Sequence, residues 1–267
     1  MKISIITIVK NDEKNIENTI KSVLKQNYKK KQHIIIDGNS IDGTSQKIKK
    51  YSKYINHFRQ NDKGIYDAIN KGIKKADGDI ICLLHSGDIF SEDNILTKVN
   101  KLFYKNYKIV TGNVLFYKSI NKKIVITRIW KKKINFFNDK NFYLLPHTTL
   151  FLDKNILKKV GPYSLKYQIA SDTKFILELS QMNYKYIHLN KYITYMKIGG
   201  ISTNVKYVFV KIIEDLKILY NYFGYIFLFI YLKKILSKLT GHFIKKHKKA
   251  ANQLKKQLKE LNEFQII

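Results

Sequence analysis

The chain of 267 residues has one cysteine, two arginines and no uninterrupted apolar run long enough to span a bilayer. The lone Cys82 excludes a disulfide framework and a cysteine-based zinc site, and it fits a reducing, cytosolic setting. Of the 50 basic residues only Arg59 and Arg128 are arginine. Arginine forks read most base edges and phosphates in nucleic acids. A net charge of +30 built on lysine therefore argues against a nucleic-acid partner, and suits attraction to an anionic membrane surface. Neither Gly-x-x-x-x-Gly-Lys-Ser/Thr nor Gly-x-Gly-x-x-Gly follows the first apolar run, so a P-loop and a dinucleotide fingerprint are absent.

Hydrophobic residues make up 45% of the chain, a globular composition, and the length suits one core with or without an appendage. The stretch that organises the chain is Asp79-Ile-Ile-Cys-Leu-Leu-His-Ser-Gly-Asp88. Its apolar run, Ile80 to Leu84 between Gly78 and Gly87, predicts a strand buried on both faces. Asp88 then lies at the carboxyl end of a central strand, where open α/β sheets bind ligands.

Strands are also expected over residues 2–9, 33–37 and 54–59, with helices over 12–26, 44–51 and from the 61–72 tract to about Lys75. Residues 2–9 read as a first strand, not as a signal peptide, because no small-residue cleavage site follows. Asn11 or Asp12 is the expected N-cap of the first helix. Alternating strands and helices specify a parallel sheet. Residues 109–130 suit a hairpin or mixed edge strands, and residues 155–160 and 172–182 suit short helices either side of Gly161-Pro162.

Three acids, Asp37, Asp62 and Asp88, follow three consecutive strands, so the topology brings them to one sheet edge. Converging carboxylates need a cation or donors to offset their repulsion. With no Cys/His cluster, a hard ion held by oxygens, Mn²⁺ or Mg²⁺, is the natural choice, and such ions commonly arrive with a diphosphate.

These residues carry a resemblance. Val9-Lys-Asn11, Asp37-Gly-Asn-Ser-Ile-Asp-Gly-Thr44, Asp62-Lys-Gly-Ile-Tyr-Asp-Ala-Ile-Asn-Lys-Gly72, Gly78-Asp79 and His85-Ser-Gly-Asp88 occur in order. Together they resemble the nucleotide-sugar half of family 2 glycosyltransferases with the GT-A fold. Pro146-His-Thr-Thr-Leu-Phe151, Ala170-Ser-Asp172 and Gly199-Gly-Ile-Ser202 resemble the acceptor half of the bacterial surface-polysaccharide members. The resemblance implies an α/β, Rossmann-like and mostly parallel sheet flanked by helices, with a donor half over 1–105 and an acceptor half over 106–203. It implies an inverting transfer of a sugar from a nucleotide diphosphate, with UDP the expected nucleotide, to an acceptor hydroxyl on a lipid-linked glycan. Asp37 and the backbone at Val9 would hold the base, and Asp62, Lys63 and Asp67 would line the donor site. Asp88 would ligate the metal, and Asp172 would be the general base.

Each of these residues also fits a plainer role. Asp172 alone suits the acidic first turn of a helix, His147 either an acceptor pocket or packing, and Asp37 turn chemistry. The metal turn departs from many family members in carrying one acid, Asp88, with His85 as a candidate second ligand or supporting group. Gly38 likewise stands where a second acid is frequent. A non-catalytic nucleotide-sugar-binding or scaffold protein would share most of these residues.

Residues 204–267 change character. Ile212, Ile213, Leu216, Leu219 and Tyr220 share one helical stripe, with Lys211, Asp215 and Lys217 off it. The aromatic run 219–232, followed by lysines, fits either a membrane-interface helix or a hairpin packed on the protein's own core. The first reading places the protein on the cytoplasmic face of the cell membrane, touching anionic lipid through 205–249. Leu254, Leu258 and Leu261 predict a short amphipathic helix.

Overall fold

The computed structural model describes residues 1–120, 123–131, 145–199, 205–240 and 248–263. Strands β1 (Ile3–Val9), β2 (Lys31–Asp37), β3 (Asn56–Arg59) and β4 (Ile80–Leu83) form a parallel block in the order β3-β2-β1-β4. All seven residues of β1 and all four of β4 are buried, as a strand covered on both faces requires. Ile6, Ile34 and Ile36 are fully buried, each stabilising the fold by roughly 1.5–3 kcal/mol relative to exposure.

Helices α1 (Ile16–Leu24), α2 (Thr44–Lys49) and α3 (Ile65–Lys75) connect the block. Helix α3 lies tight on the sheet at Gly72, where an added Cβ would fall 2.4 Å from Ile6 Cγ2. The expected N-cap of α1 is displaced. The helix starts after Asn15, which makes no side-chain cap bond, because the Asp12 carboxylate is engaged elsewhere: it accepts from the Asn15 amide group and from Ser86.

Beyond β4 the sheet changes direction. Strand β8 (Phe151–Asp153) pairs antiparallel with β4 and with β6 (Ile109–Ile120). Strand β6 then pairs parallel with β9 (Tyr186–Lys197), β9 antiparallel with β5 (Ile89–Phe90), and β6 antiparallel with β7 (Lys123–Trp130). The expected mostly parallel sheet is corrected: among the described residues four of its eight strand pairs are antiparallel. The cause is local. A three-residue strand inserted between β4 and β6 reverses the ladder without any long apolar run to announce it. Helices α4 (Ile95–Tyr104), α5 (Lys154–Val160) and α6 (Ser171–Ser180) complete the layers.

The C-terminal segment packs on this body. Helix α7 (Val205–Phe223) and helix α8 (Phe227–Thr240) bury Ile218, Leu219 and Ile230 against Tyr167, Ala170 and Leu177. Helix α9 (Lys248–Glu263) buries Ala250, Leu254 and Leu261 on the β6–β7 hairpin and Tyr195. The apolar stripe of α7 divides between core and solvent: Leu219 is buried, while Ile213 and Tyr220 are about half exposed. Asp215, off the stripe, is 2% exposed, because the buried face of α7 also meets Thr173 and Lys234. No helix among the described residues is long and apolar enough to cross a membrane.

Candidate active site

The parallel block delivers its loops to one edge, since Val9 is in register with Asp37 and Asp37 with Arg59. Asp37 ends β2 and is wholly buried. Its oxygens accept from the Ser40 amide (2.9 Å) and the Ser45 hydroxyl, and His57 Nε2 lies 3.6 Å away. Burial opposes ionisation, but His57, Ser40 and Ser45 outweigh it and hold the carboxyl below the usual carboxylate range. The Val9 carbonyl accepts from the Gly38 amide at 2.9 Å, closing the loop onto β1.

Asp62 follows β3. Its Oδ1 accepts from Lys71 at 2.8 Å, while Oδ2 is buried without a partner and faces Gly38. Asp67 accepts from the Lys63 amide at 2.9 Å and pairs with Lys71 at 2.9 Å. These contacts keep its carboxyl low, the amide first. Lys71, which sequence reasoning passed over, is thus the cation bridging the two acids, whereas the Lys63 residue is exposed.

Asp88 follows β4. Gly87 before it has φ +88, a conformation that favours glycine. Asp88 Oδ1 accepts from the Lys197 amide at 3.0 Å, and Oδ2 is buried and unpaired. Burial first, and then the Asp12 charge, push its carboxyl well above the usual range. Asp12 is bonded to Ser86 at 2.6 Å. The fold therefore supplies next to the metal turn an acid from 74 residues upstream. Nothing in the local sequence signals it.

Asp172 opens α6 and lies against the same region. Its Oδ1 accepts from the Thr173 amide (2.9 Å) and faces the Tyr66 hydroxyl (3.2 Å), and its Oδ2 lies 3.3 Å from His147 Nδ1. His147 Nε2 is 2.8 Å from His85 Nε2. The structure thus brings Asp172, His147 and His85 into one hydrogen-bonded line. Asp172 is held below the usual carboxylate range: burial opposes ionisation, but Lys211, His147 and Lys234 overcome it. Burial and His147 lower His85 to about 3, so its ring is neutral. His85 Nδ1 is buried without a hydrogen-bond partner.

No cluster of three metal-ligating side chains exists among the described residues. The orphaned oxygen of Asp88 nevertheless fits a hard cation, whose remaining ligands a diphosphate and water would complete. Of the acceptor motifs, residues 200–202 lie outside the described residues. Tyr66, Asp12, Lys71, Lys211 and Lys234 are the site residues that sequence reasoning missed. Lys71 acts locally, four residues from Asp67 and nine from Asp62, whereas Tyr66, Asp12, Lys211 and Lys234 reach their partners across the fold.

Residues 4–161 match the family described as "Glycosyl transferase family 2". An uncharacterized glycosyltransferase of Mycobacterium tuberculosis H37Rv is 30% identical over 180 residues, 66% of this chain and 67% of its own. An Escherichia coli β-1,3-glucosyltransferase, named for UDP-Glc and α-D-GlcNAc-diphosphoundecaprenol, is 27% identical over 184 residues, 68% of this chain and 70% of its own. Staphylococcus aureus TarS 1–349 in complex with UDP-GlcNAc superposes with a TM-score of 0.67 at 18% identity, over 98% of this chain and 80% of that one. In the TarS complex with UDP, the match spans 61% of that chain. A Pyrobaculum calidifontis mannosyltransferase in complex with GDP-Man and Mn²⁺ superposes with a TM-score of 0.64 at 13% identity, over 100% of this chain and 76% of that one. These structural likenesses show the GT-A type of fold.

Proposed function

Because this chain belongs to glycosyltransferase family 2, we propose that it moves a sugar from a UDP-sugar to a hydroxyl of a lipid-linked glycan, with inversion, during surface-polysaccharide assembly. The observation that carries this reading is the line Asp172–His147–His85, which ends beside the Asp88 turn. An ionised carboxylate able to take the acceptor proton is what a single-displacement transfer needs.

In this reading residues 1–105 form the donor half and 106–203 the acceptor half. The loop shaped by Asp37 and Val9 seats the base of the nucleotide. Asp62, Asp67 and Lys63 border the ribose and donor sugar. The acceptor hydroxyl places its proton on Asp172 as its oxygen bonds to the anomeric carbon. The bond from that carbon to the diphosphate breaks, and its electron pair leaves with the nucleotide. His147 orients the Asp172 carboxylate and borders the acceptor. Asp88, with His85 Nδ1 as a second donor, would hold Mn²⁺ or Mg²⁺, which when bound supplies Lewis-acid stabilisation of the leaving diphosphate.

Helices α7 and α8 turn Phe209, Ile213, Leu228, Phe229 and Leu232 to solvent, each more than half exposed. An apolar and aromatic face beside lysines suits the interface of an anionic bilayer. It supports a peripheral position on the inner membrane face, where a lipid-linked acceptor resides. The test is transfer from UDP-Glc or UDP-GlcNAc to a synthetic lipid-diphosphate-linked GlcNAc. Asp172→Asn should lower kcat by roughly 10²–10⁴-fold, with UDP binding retained. Full activity in Asp172→Asn would overturn the assignment.

A further inference from the structure

The loop that carries Asp172 is held from below by the C-terminal helices. Glu214 on α7 accepts from three consecutive amides: Oε1 from Gln168 (2.7 Å) and Oε2 from Ile169 and Ala170 (2.9 Å each). These amides lead directly into α6, whose N-cap residue Ala170 offers no side-chain bond of its own. The next residue of α7, Asp215, accepts from Thr173 Oγ1 at 3.0 Å and pairs with Lys234 of α8 at 2.9 Å. Lys211 pairs with Asp215 at 3.7 Å. On its other side the loop is tied to α3, where the Tyr66 hydroxyl donates to the Ile169 carbonyl at 2.7 Å.

We propose that α7 is a working part of the active site and that Glu214 is the positioning residue for Asp172, fixing the 168–170 backbone from which α6 and its first carboxylate project. This proposal deepens the reading of Asp172 as base and rests on it. Three amides in a row form a concavity that an anion fills well, and here a side chain from 44 to 46 residues downstream fills it. A neutral or truncated residue at 214 leaves one or more of those amides without a partner. The loop then has no unique conformation, and small misplacements of a reacting group cost rate out of proportion to stability. The inward charges on α7 follow from this task. The helix meets a polar loop end, and its apolar residues turn outward at Ile213 and Tyr220.

The experiment compares the full chain with Glu214→Gln and Glu214→Ala, using three readouts. Hydrogen exchange of the 168–170 amides is slow in the parent, faster in Glu214→Gln, and fastest in Glu214→Ala. UDP binding by calorimetry stays within about 2-fold, because Glu214 touches none of the donor loops. UDP release from UDP-Glc or UDP-GlcNAc falls in kcat by about 10-fold or more in Glu214→Ala, with KM for the donor held, and Glu214→Gln recovers part of it. Unchanged exchange, unchanged kcat, or a loss of UDP binding in step with kcat would overturn the proposal. Asp172→Asn run alongside separates the two claims. If that variant keeps its kcat, the base assignment fails whatever Glu214 does. If it loses kcat while Glu214→Ala does not, only the positioning role fails.

Discussion

The Tyr66 hydroxyl lies 3.2 Å from Asp172 Oδ1 across 106 residues of sequence, and the Asp172 amide points back at the same oxygen from 3.3 Å. A helix that begins at the donor loop thereby touches the proposed base. Tyr66 is 5% exposed and stacks on Tyr163, which stacks in turn on Phe175 of α6.

Tyr66→Phe keeps the stack and removes only the hydroxyl. It leaves the Ile169 carbonyl without its 2.7 Å donor, which should cost about 1–3 kcal/mol in urea unfolding. The drop in kcat should exceed the change in UDP affinity. An unchanged unfolding midpoint and unchanged kcat would mean that the contact does neither job.

Asp37 gives a pH signature. Its carboxyl sits below the usual range in the folded chain, so it contributes stability above the unfolded carboxylate pKa of about 3.9. That contribution is lost as pH falls toward the lower folded value. Asp37→Asn should therefore be less stable than the parent by about 1.5–3 kcal/mol at pH 7. The gap should narrow as the pH is lowered below about 4. Urea unfolding at both ends of that range reads it directly, and a gap independent of pH would show that the ionised carboxylate is not what the Ser40–Ser45 loop is built around.

The outward face of α7 and α8 makes a separate claim. Phe229 and Leu232 are 62% and 57% exposed, so Phe229→Glu with Leu232→Glu should change folding stability by no more than about 0.5 kcal/mol. The pair should abolish co-sedimentation with vesicles containing anionic lipid. Parent binding should weaken with added salt, as lysine-driven attraction does. Vesicle binding that survives the double substitution would place the membrane contact elsewhere, and a parent that does not bind vesicles would remove it.

Much of the donor side was legible in the sequence because its signals are local. Runs such as Ile3–Val9 and Ile80–Leu83 are buried on both faces, and an unbroken apolar stretch is what such burial writes into a sequence. The acids after them fall on one edge by topology alone. What stayed hidden acts across the chain. Strand β8 is three residues long, and β9 carries Asn190-Lys191 at its middle, which reads as a turn. Asp12 reads as a helix cap in the sequence, yet its carboxylate accepts from Ser86, 74 residues on. On α7 the apolar stripe gives no sign of Glu214, whose partners are backbone amides 44 to 46 residues earlier.

The most direct test of the central claim is calorimetric titration of UDP into the full chain with and without Mn²⁺, beside Asp88→Ala and Asp172→Asn. The account predicts that Mn²⁺ strengthens UDP binding in the parent and in Asp172→Asn, and that Asp88→Ala loses that gain. The orphaned Oδ2 of Asp88 is the oxygen whose removal should matter. Metal-enhanced binding that persists in Asp88→Ala, or no UDP binding in any condition, would contradict it.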